Sequence, residues 1–393
     1  MSRISPRPVL RVGAILTTLW LAACGPMGVA GVSGPNTGQM IDPRQPVPVA
    51  LLVPAGAGSS EMSWLSRSLV NSAKMAAADA QGAQIDLRVY EVGLDAASAA
   101  STANKAVDEG AKIILGPLHA DSANAAGSAV AARNVNVLAF SNNPDIAGGN
   151  VFILGNTFSN VADRLVSYGV RQGKRRIMIV AEDDIPGQIG AGAIRTAISR
   201  NGASLAGEIK HPVSQAGIDS VVPGVADAAR SGRVDALFLT ANQQQVLPYL
   251  TGKLNGAGVN SSVTQMMGLT RWDIPAARLQ LPGVQGGWFA IPDMALKGQF
   301  DSRYRAAYGE TPHDLGSLAY DGVSAIAALV RAGKANALTT AGLTTGSGFA
   351  GVNGTFRLNR DGTNQRGLAV ATIRGGQVVV IDPAPRRFSG AGF

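Results

Sequence analysis

The sequence is poor in cysteine, histidine and charged residues. One cysteine among 393 residues excludes an intrachain disulfide and a cysteine-rich zinc site, and three histidines leave little for a histidine-based metal cluster. Charged residues make up 15% of the chain, against about 25% in an ordinary soluble domain. Aromatic residues contribute 5% and basic residues are scattered, which disfavours a nucleic-acid partner despite the net charge of +8.

The chain also lacks the short motifs of common enzymes. It has no Gly-x-Ser-x-Gly elbow and no His-Glu-x-x-His helix. Segment 187–192 reads Gly-x-x-Gly-x-Gly, which differs from the dinucleotide fingerprint. We therefore expect a protein without catalytic activity, cofactor or resident metal. The acidic run at 182–184 leaves a cation site as the alternative to a solvated loop.

The N-terminus has the pattern of an export signal with an acylation site. Three arginines precede an uncharged, mostly apolar stretch at 12–23, which is shorter than the about 20 residues of a membrane-spanning helix. Leu-Ala-Ala-Cys at 21–24 resembles the lipobox of bacterial lipoproteins, whose cysteine is acylated before cleavage in front of it. We expect a signal peptide at 1–23 and a lipid anchor at Cys24. A free cysteine behind an ordinary secretion signal is the alternative.

The residues after the cysteine predict how the anchored chain is presented. Gly25 follows Cys24 where some lipoproteins carry an acidic residue, and in enteric-type sorting this favours the outer membrane. Segment 24–46 is rich in glycine, proline, serine and asparagine, a composition typical of a flexible tether. We expect a periplasm-facing protein held to the outer membrane by acyl chains.

The body of the chain alternates short β-branched runs with longer alanine-rich segments, the pattern of βαβ units on a parallel sheet. Two such series of similar size predict an α/β fold with two lobes, and Gly-Gly at 375–376 predicts a hairpin near the end. The predicted division is 47–150 with 278–345 for lobe 1, 151–277 with 346–383 for lobe 2, and 384–393 for a tail.

Polar side chains follow several predicted strands. In open parallel sheets, ligands bind beyond the carboxyl ends of strands, where loops and helix N-termini offer unpaired N–H donors. Such residues are also ordinary turn and capping residues, so only their convergence makes a site. The candidates for a ligand-binding cleft are Ser59, Ser60, His119, Asp121, Ser122, Ser141, Asn142, Asn143, Asp184, Asn242 and Arg271. A solvated loop position is the alternative for His119.

Four segments lie in a familiar order along the chain. They are Ala-Leu-Leu-Val-Pro at 50–54, Ile-Ile-Leu-Gly-Pro at 113–117, Val-Leu-Ala-Phe-Ser at 137–141 and Val-Asn-Gly at 352–354. Together they resemble the type I periplasmic binding protein family, especially its Leu/Ile/Val-binding branch. The resemblance implies two Rossmann-like lobes joined by three crossings, with a ligand or partner held in the cleft. It also implies that loops 118–122 and 140–143 hold the backbone of an amino acid.

Two positions depart from the amino-acid receptors of that family. Ile-Pro-Gly at 185–187 lacks the aromatic residue usual before the glycine, and Asn-Gln-Gln at 242–244 lacks a tyrosine often found there. A closer similarity, to lipoprotein activators of penicillin-binding proteins, is carried by Gln-Gly-Lys-Arg-Arg at 172–176 and Val-Tyr at 89–90.

The resemblance therefore implies two candidate functions. The first is an interaction protein that activates a peptidoglycan synthase, a penicillin-binding protein. The alternative is the solute receptor of an ABC importer for branched-chain amino acids or a related small solute, with the ABC permease as its partner.

The predicted acylation site can be tested by Cys24→Ser. This variant lacks the thiol that would carry an acyl chain, so labelled palmitate should enter the wild-type chain in cells and not the variant. The variant should also leave the membrane fraction, because each buried methylene contributes about 0.8 kcal/mol to anchoring. Equal labelling of both chains would contradict a lipid anchor at Cys24.

Overall fold

The computed structural model describes residues 37–55, 59–241 and 245–388. The strands are β1 (Val47–Pro54), β2 (Ile85–Val92), β3 (Ile113–Leu115), β4 (Asn136–Ala139), β5 (Val151–Ile153), β6 (Arg176–Glu182), β7 (Ser204–His211), β8 (Ala236–Leu239), β9 (Gln265–Gly268), β10 (Trp288–Ile291), β11 (Phe349–Gly351), β12 (Gly354–Leu358), β13 (Asn364–Arg366), β14 (Ala369–Arg374) and β15 (Gln377–Asp382). The helices are α1 (Ser60–Asp79), α2 (Ala96–Asp108), α3 (Ala120–Ala131), α4 (Phe158–Arg171), α5 (Ile185–Arg200), α6 (Gln215–Arg230), α7 (Val246–Gly256), α8 (Met294–Tyr308), α9 (Gly316–Arg331) and α10 (Thr340–Leu343). The predicted signal peptide, Cys24 and Asn242 lie outside the described residues.

Lobe 1 is built on a parallel sheet of five strands in the order β2-β1-β3-β4-β5. Successive side chains of a strand point to opposite faces of the sheet. Leu51 of β1 therefore packs into the core under α1 and α9, whereas Leu52 packs into the core under α2 and α3. Helices on both faces bury β1, β3, β4 and β5 almost completely, which explains their nearly continuous apolar sequence, whereas the edge strand β2 is only partly buried.

Lobe 2 contains a sheet of seven strands in the order β15-β14-β10-β9-β8-β6-β7. Strands β6 to β10 pair in parallel, and β14 and β15 add an antiparallel edge. Gly375 and Gly376 join the last two strands with φ of 57° and 74°, which suits the predicted hairpin turn. The two sheets with helices on their faces confirm the predicted α/β class and two-lobe fold.

The chain passes between the two sheets at three places. They lie at 154–157 between β5 and α4, at 292–293 between β10 and α8, and at 367–368 between β13 and β14. A small antiparallel sheet of β11, β12 and β13 precedes the last crossing, and its Phe349 and Phe356 pack into the core of lobe 1.

Strand pairing differs from the predicted lobe boundaries. Strand β5 pairs with β4 in lobe 1, although the sequence predicts lobe 2 from residue 151, because three apolar residues show no alternation that distinguishes a strand from a connection. Strand β10 pairs with β9 and β14 in lobe 2, although 278–345 is predicted for lobe 1. Segment 349–358 packs with lobe 1 rather than lobe 2. Sequence order alone does not determine which sheet a strand joins.

The described end of the predicted tether is part of the folded body. Thr37 donates from Oγ1 to Asn136 Oδ1 at 2.8 Å, and the Gly38 N–H donates to Asn134 Oδ1 at 3.0 Å. Ile41 is buried in the lobe 1 core. Residues 37–46 therefore pack on lobe 1, which corrects the predicted tether of 24–46 over its last ten residues. Among the described residues, no helix is long and apolar enough to cross a bilayer.

A buried ion pair lies beside two of the three crossings between the lobes. Arg366 of β13 and Asp321 of α9 are 3.0 Å apart, with side chains 4% and 0% exposed. Arg366 also donates from Nε to the Leu154 carbonyl at 2.9 Å, and Asp321 accepts from the Val352 N–H at 2.7 Å. Burial raises the pKa of the Asp321 carboxyl, and the guanidinium opposes that rise.

We predict that Asp321→Ala lowers the free energy of unfolding by about 3–5 kcal/mol, because it leaves the Arg366 charge buried without its partner. Urea unfolding followed by circular dichroism measures the loss. The double variant Asp321→Leu/Arg366→Met should recover most of it. The matched control is Asp227→Ala, which breaks an exposed pair with Arg230 and should cost less than about 1 kcal/mol. A loss at Asp321 no larger than the control would contradict the role given to this pair.

Candidate ligand-binding cleft

A cavity of about 560 Å³ lies where carboxyl ends of strands from both sheets meet. We call it the cleft cavity. Loops after β3, β4 and β5 line it from lobe 1, and residues after β9 and β10 line it from lobe 2. Residues at the start of α9 and around the third crossing complete the wall. Its volume falls within the range of roughly 300–1,000 Å³ typical of small-molecule sites.

Five of the eleven candidate residues line the cleft cavity. They are His119, Ser141, Asn142, Asn143 and Arg271. Ser141 is 5% exposed, and its Oγ accepts from the Asn143 N–H at 3.1 Å, so it shapes the turn while it faces the cavity. The rule that ligands bind beyond parallel strands therefore selects residues that the fold brings together.

Five other candidates are not among the lining residues. Ser59 accepts from the Met62 N–H at 3.2 Å and caps α1, and Asp184 accepts from the Gly187 N–H at 2.7 Å and caps α5. Ser60 begins α1, whereas Asp121 and Ser122 lie in the first turn of α3. Ser59 and Asp184 therefore have the capping role that is the alternative interpretation of such residues. Asn242 falls outside the described residues.

Two glycines allow the lining loops to approach each other closely. A Cβ at Gly116, which has φ of +86°, would lie 2.2 Å from the Leu52 carbonyl oxygen. A Cβ at Gly155 would lie 2.5 Å from the Ser141 carbonyl oxygen. A larger residue at Gly116 would push the loop after β3 away from β1. A larger residue at Gly155 would push the first crossing away from the loop after β4. These contacts set the shape of the lobe 1 wall.

The N-terminus of α3 opens onto the cleft cavity. His119 occupies the N-cap position with φ of −75° and ψ of 142°, and its side chain makes no capping hydrogen bond. His119 and Ala120 both line the cavity. The first N–H groups of a helix have no partner within the helix, and its dipole favours negative charge there. This end of the cavity therefore suits a carboxylate.

Charged residues that the sequence reasoning missed also line the cavity. Lys297 Nζ lies 2.8 Å from Asp301 and 3.3 Å from Asp314, and its side chain is 14% exposed. Lys297, Asp314 and Arg366 all line the wall. The pairing of Lys297 with Asp301 at i,i+4 is ordinary on a helix surface, so no local signal identifies it as part of a site.

The acidic run at 182–184 does not converge on a common point. Glu182 is fully buried at the end of β6, Asp183 is exposed, and Asp184 caps α5. Within the described residues, no group of three or more histidine, cysteine, aspartate or glutamate side chains is arranged to hold a metal ion.

The rest of the cavity wall is largely apolar. Leu118, Phe140 and Leu318 line it from lobe 1. Ile274 on lobe 2 and Leu315 on lobe 1 are 45% and 37% exposed, unusually high for large apolar side chains that face a cavity. An apolar wall with a few polar groups is the usual composition of a site for a small organic molecule.

Comparison with known proteins identifies the family. A family model described as periplasmic binding protein matches residues 46–377. The chain therefore belongs to the periplasmic binding protein family. Among curated proteins, none matches this sequence.

Solved structures share the fold at low sequence identity. A putative branched-chain amino acid ABC transporter protein from Rhodospirillum rubrum has a TM-score of 0.73 at 19% identity, covering 86% of this chain and 100% of that one. An ABC transporter substrate-binding protein from Desulfitobacterium hafniense in complex with Leu has a TM-score of 0.62 at 16% identity, covering 86% and 100%. A solute-binding protein from R. palustris in complex with benzoate has a TM-score of 0.56 at 16% identity, covering 88% and 99%.

Proposed function

We propose that this chain is the solute receptor of an ABC importer and binds a small organic acid in the cleft cavity. The observation that carries the proposal is a cavity between the lobes into which the N-terminus of α3 opens without a side-chain cap. The similar structures support it, since all three reported above belong to ABC transport systems. The ABC permease is then the protein partner, with no cofactor.

A carboxylate is the ligand group that the cavity accommodates best. Two of the similar structures have a named ligand, leucine in one and benzoate in the other. Leucine has a branched chain and an amine and benzoate has an aromatic ring, but both have a carboxylate. In this chain the cations on the wall are largely neutralised, because Lys297 pairs with two aspartates and Arg271 pairs with Asp273 at 2.5 Å. The N–H groups at the start of α3 are free to donate to an anion.

The similar structures favour a solute receptor over an activator of a penicillin-binding protein. None of the three solved structures named above is such an activator, and the similarity at 172–176 and 89–90 has no support from them. We propose that the receptor works in the periplasm, the compartment after which its family is named. Anchoring through Cys24 at the outer membrane stays a prediction from the sequence.

Ligand binding should raise the melting temperature, and at equal concentration a carboxylate that binds more tightly should raise it further. Leucine, benzoate and their amides, leucinamide and benzamide, form the panel. At least one acid should shift Tm progressively with concentration, as binding to the folded state requires. Its amide should not, because it lacks the charge that α3 attracts. Flat curves for both acids up to millimolar concentration would contradict the proposed function.

We predict that Ala120→Pro weakens binding of such an acid about 10- to 100-fold, as expected for losing a hydrogen bond to a charged group. Ala120 is the first residue of α3, where proline removes one N–H and still fits the helix. His119, the preceding residue, already has the extended backbone that a following proline requires.

The matched control is Ser60→Pro at the first residue of α1, which is not among the residues that line the cleft cavity. Isothermal titration should give wild-type affinity for this variant. Unchanged affinity in Ala120→Pro would remove α3 from the binding site.

A further inference from the structure

A second cavity of about 450 Å³ adjoins the cleft cavity along one face of α5. We call it the α5 groove. On α5 it is lined by Pro186, Ile189, Gly192, Ala193 and Thr196. These residues repeat every three or four positions, so they share one helix face, and ten residues of helix extend about 15 Å. The groove therefore extends along about three turns of α5.

The α5 groove borders the cleft cavity. Asn142 and Asn143 line both spaces, so the two cavities share part of their walls. Pro144 lines the opposite side of the groove, and Phe158 and Ser159 at the start of α4 line it as well. Both lobes therefore contribute to its walls.

None of the described residues that line the α5 groove has a charged side chain. The nearest cation on the same helix is Arg195, and it is paired with Glu208 at 2.7 Å. Ile189 is 40% exposed although it is large and apolar. A wall with this chemistry favours an uncharged hydrocarbon chain or ring over a charged or strongly polar group.

The glycines of α5 differ in whether the surrounding packing requires them, and this difference supports an occupant of the groove. A Cβ at Gly187 would lie 2.1 Å from the Glu182 carbonyl oxygen, and one at Gly190 would lie 2.5 Å from Leu269, so packing requires both glycines. A Cβ at Gly192 would meet only the end of Arg195, at 3.8 Å. Glycine inside a helix is less stable than alanine, and the packing of the described residues does not require a glycine at position 192. Its effect is to keep the groove open.

We propose that the α5 groove binds the apolar tail of the ligand whose carboxylate is held at α3. This inference rests on the proposed function, and it makes the ligand an amphipathic carboxylic acid larger than leucine. The carboxylate binds in the cleft cavity, the chain passes Asn142 and Asn143, and the hydrocarbon end packs against Ile189 and Phe158.

The test is a homologous series of straight-chain carboxylates, from butyrate to decanoate, measured by isothermal titration. In the wild-type protein, affinity should rise about fourfold per methylene once the chain enters the groove, the fold-change that corresponds to about 0.8 kcal/mol per buried CH₂. Gly192→Phe should fill the groove and abolish this rise while butyrate binds as in the wild type. Ile189→Asp, which places a charge in the groove, should reduce the rise in the same way.

Two control variants separate a filled groove from a damaged fold. Gly192→Ala adds one carbon and leaves the groove open, so it should keep the dependence on chain length. Gly252→Phe places the same large side chain on α7, where a Cβ meets nothing within 4 Å, and it should behave as the wild type.

Three outcomes would overturn the inference. If the short acids bind but affinity does not rise with chain length, or rises equally in Gly192→Phe, the groove holds no tail and the proposed function stands. If Ile189→Asp only converts a dimer to a monomer in sedimentation, the groove is occupied by a second copy of the chain. If butyrate, leucine and benzoate all fail to bind, the proposed function fails together with the inference.

Discussion

The buried pairing of Arg366 with Asp321 is the constraint that fixes β13 and α9 beside the first crossing between the lobes. A guanidinium that is 4% exposed requires both a counter-charge and acceptors for its remaining donors. Asp321 supplies the charge from α9, and the Leu154 carbonyl accepts from the crossing between β5 and α4. Arg366 on β13 therefore holds α9 and the first crossing in place. Movement of any one of these three segments alone would leave a polar group unpaired.

A second buried contact strengthens the same region. Asn364 donates from its amide to the Ile153 and Gly155 carbonyls at 2.8 Å each, and accepts from Asn160 of α4 at 2.6 Å. These hydrogen bonds hold the first crossing at the cleft cavity, and two exposed apolar side chains line that cavity, Ile274 from lobe 2 and Leu315 from lobe 1. Such an arrangement permits the lobes to close about a stable hinge, with apolar walls that gain burial when a ligand joins them.

The sequence predicts the lobes better than it predicts the site. Apolar runs such as 47–53 identify buried parallel strands, and the rule about strand ends correctly brings Ser141, Asn142 and Asn143 to one cavity. The same rule also selects Ser59 and Asp184, because a cap and a ligand contact have the same local signature. Lys297 and Arg366 reach the cavity only through long-range packing, so neither shows a sign of it in the sequence. The sheet joined by β10 likewise depends on partners far away along the chain.

The proposed function rests on the polar groups that stay unpaired in the folded chain. The lysine and the arginines at the cavity have carboxylate partners, and the candidates Ser59 and Asp184 cap helices. The N-terminus of α3 keeps its donors available to a ligand. The most direct test of this account is a crystal structure of the protein with benzoate or the best-binding acid. We predict the ligand carboxylate about 3 Å from the Ala120 nitrogen. A carboxylate bound to Lys297 or Arg271 instead, with the N-terminus of α3 unoccupied, would contradict it.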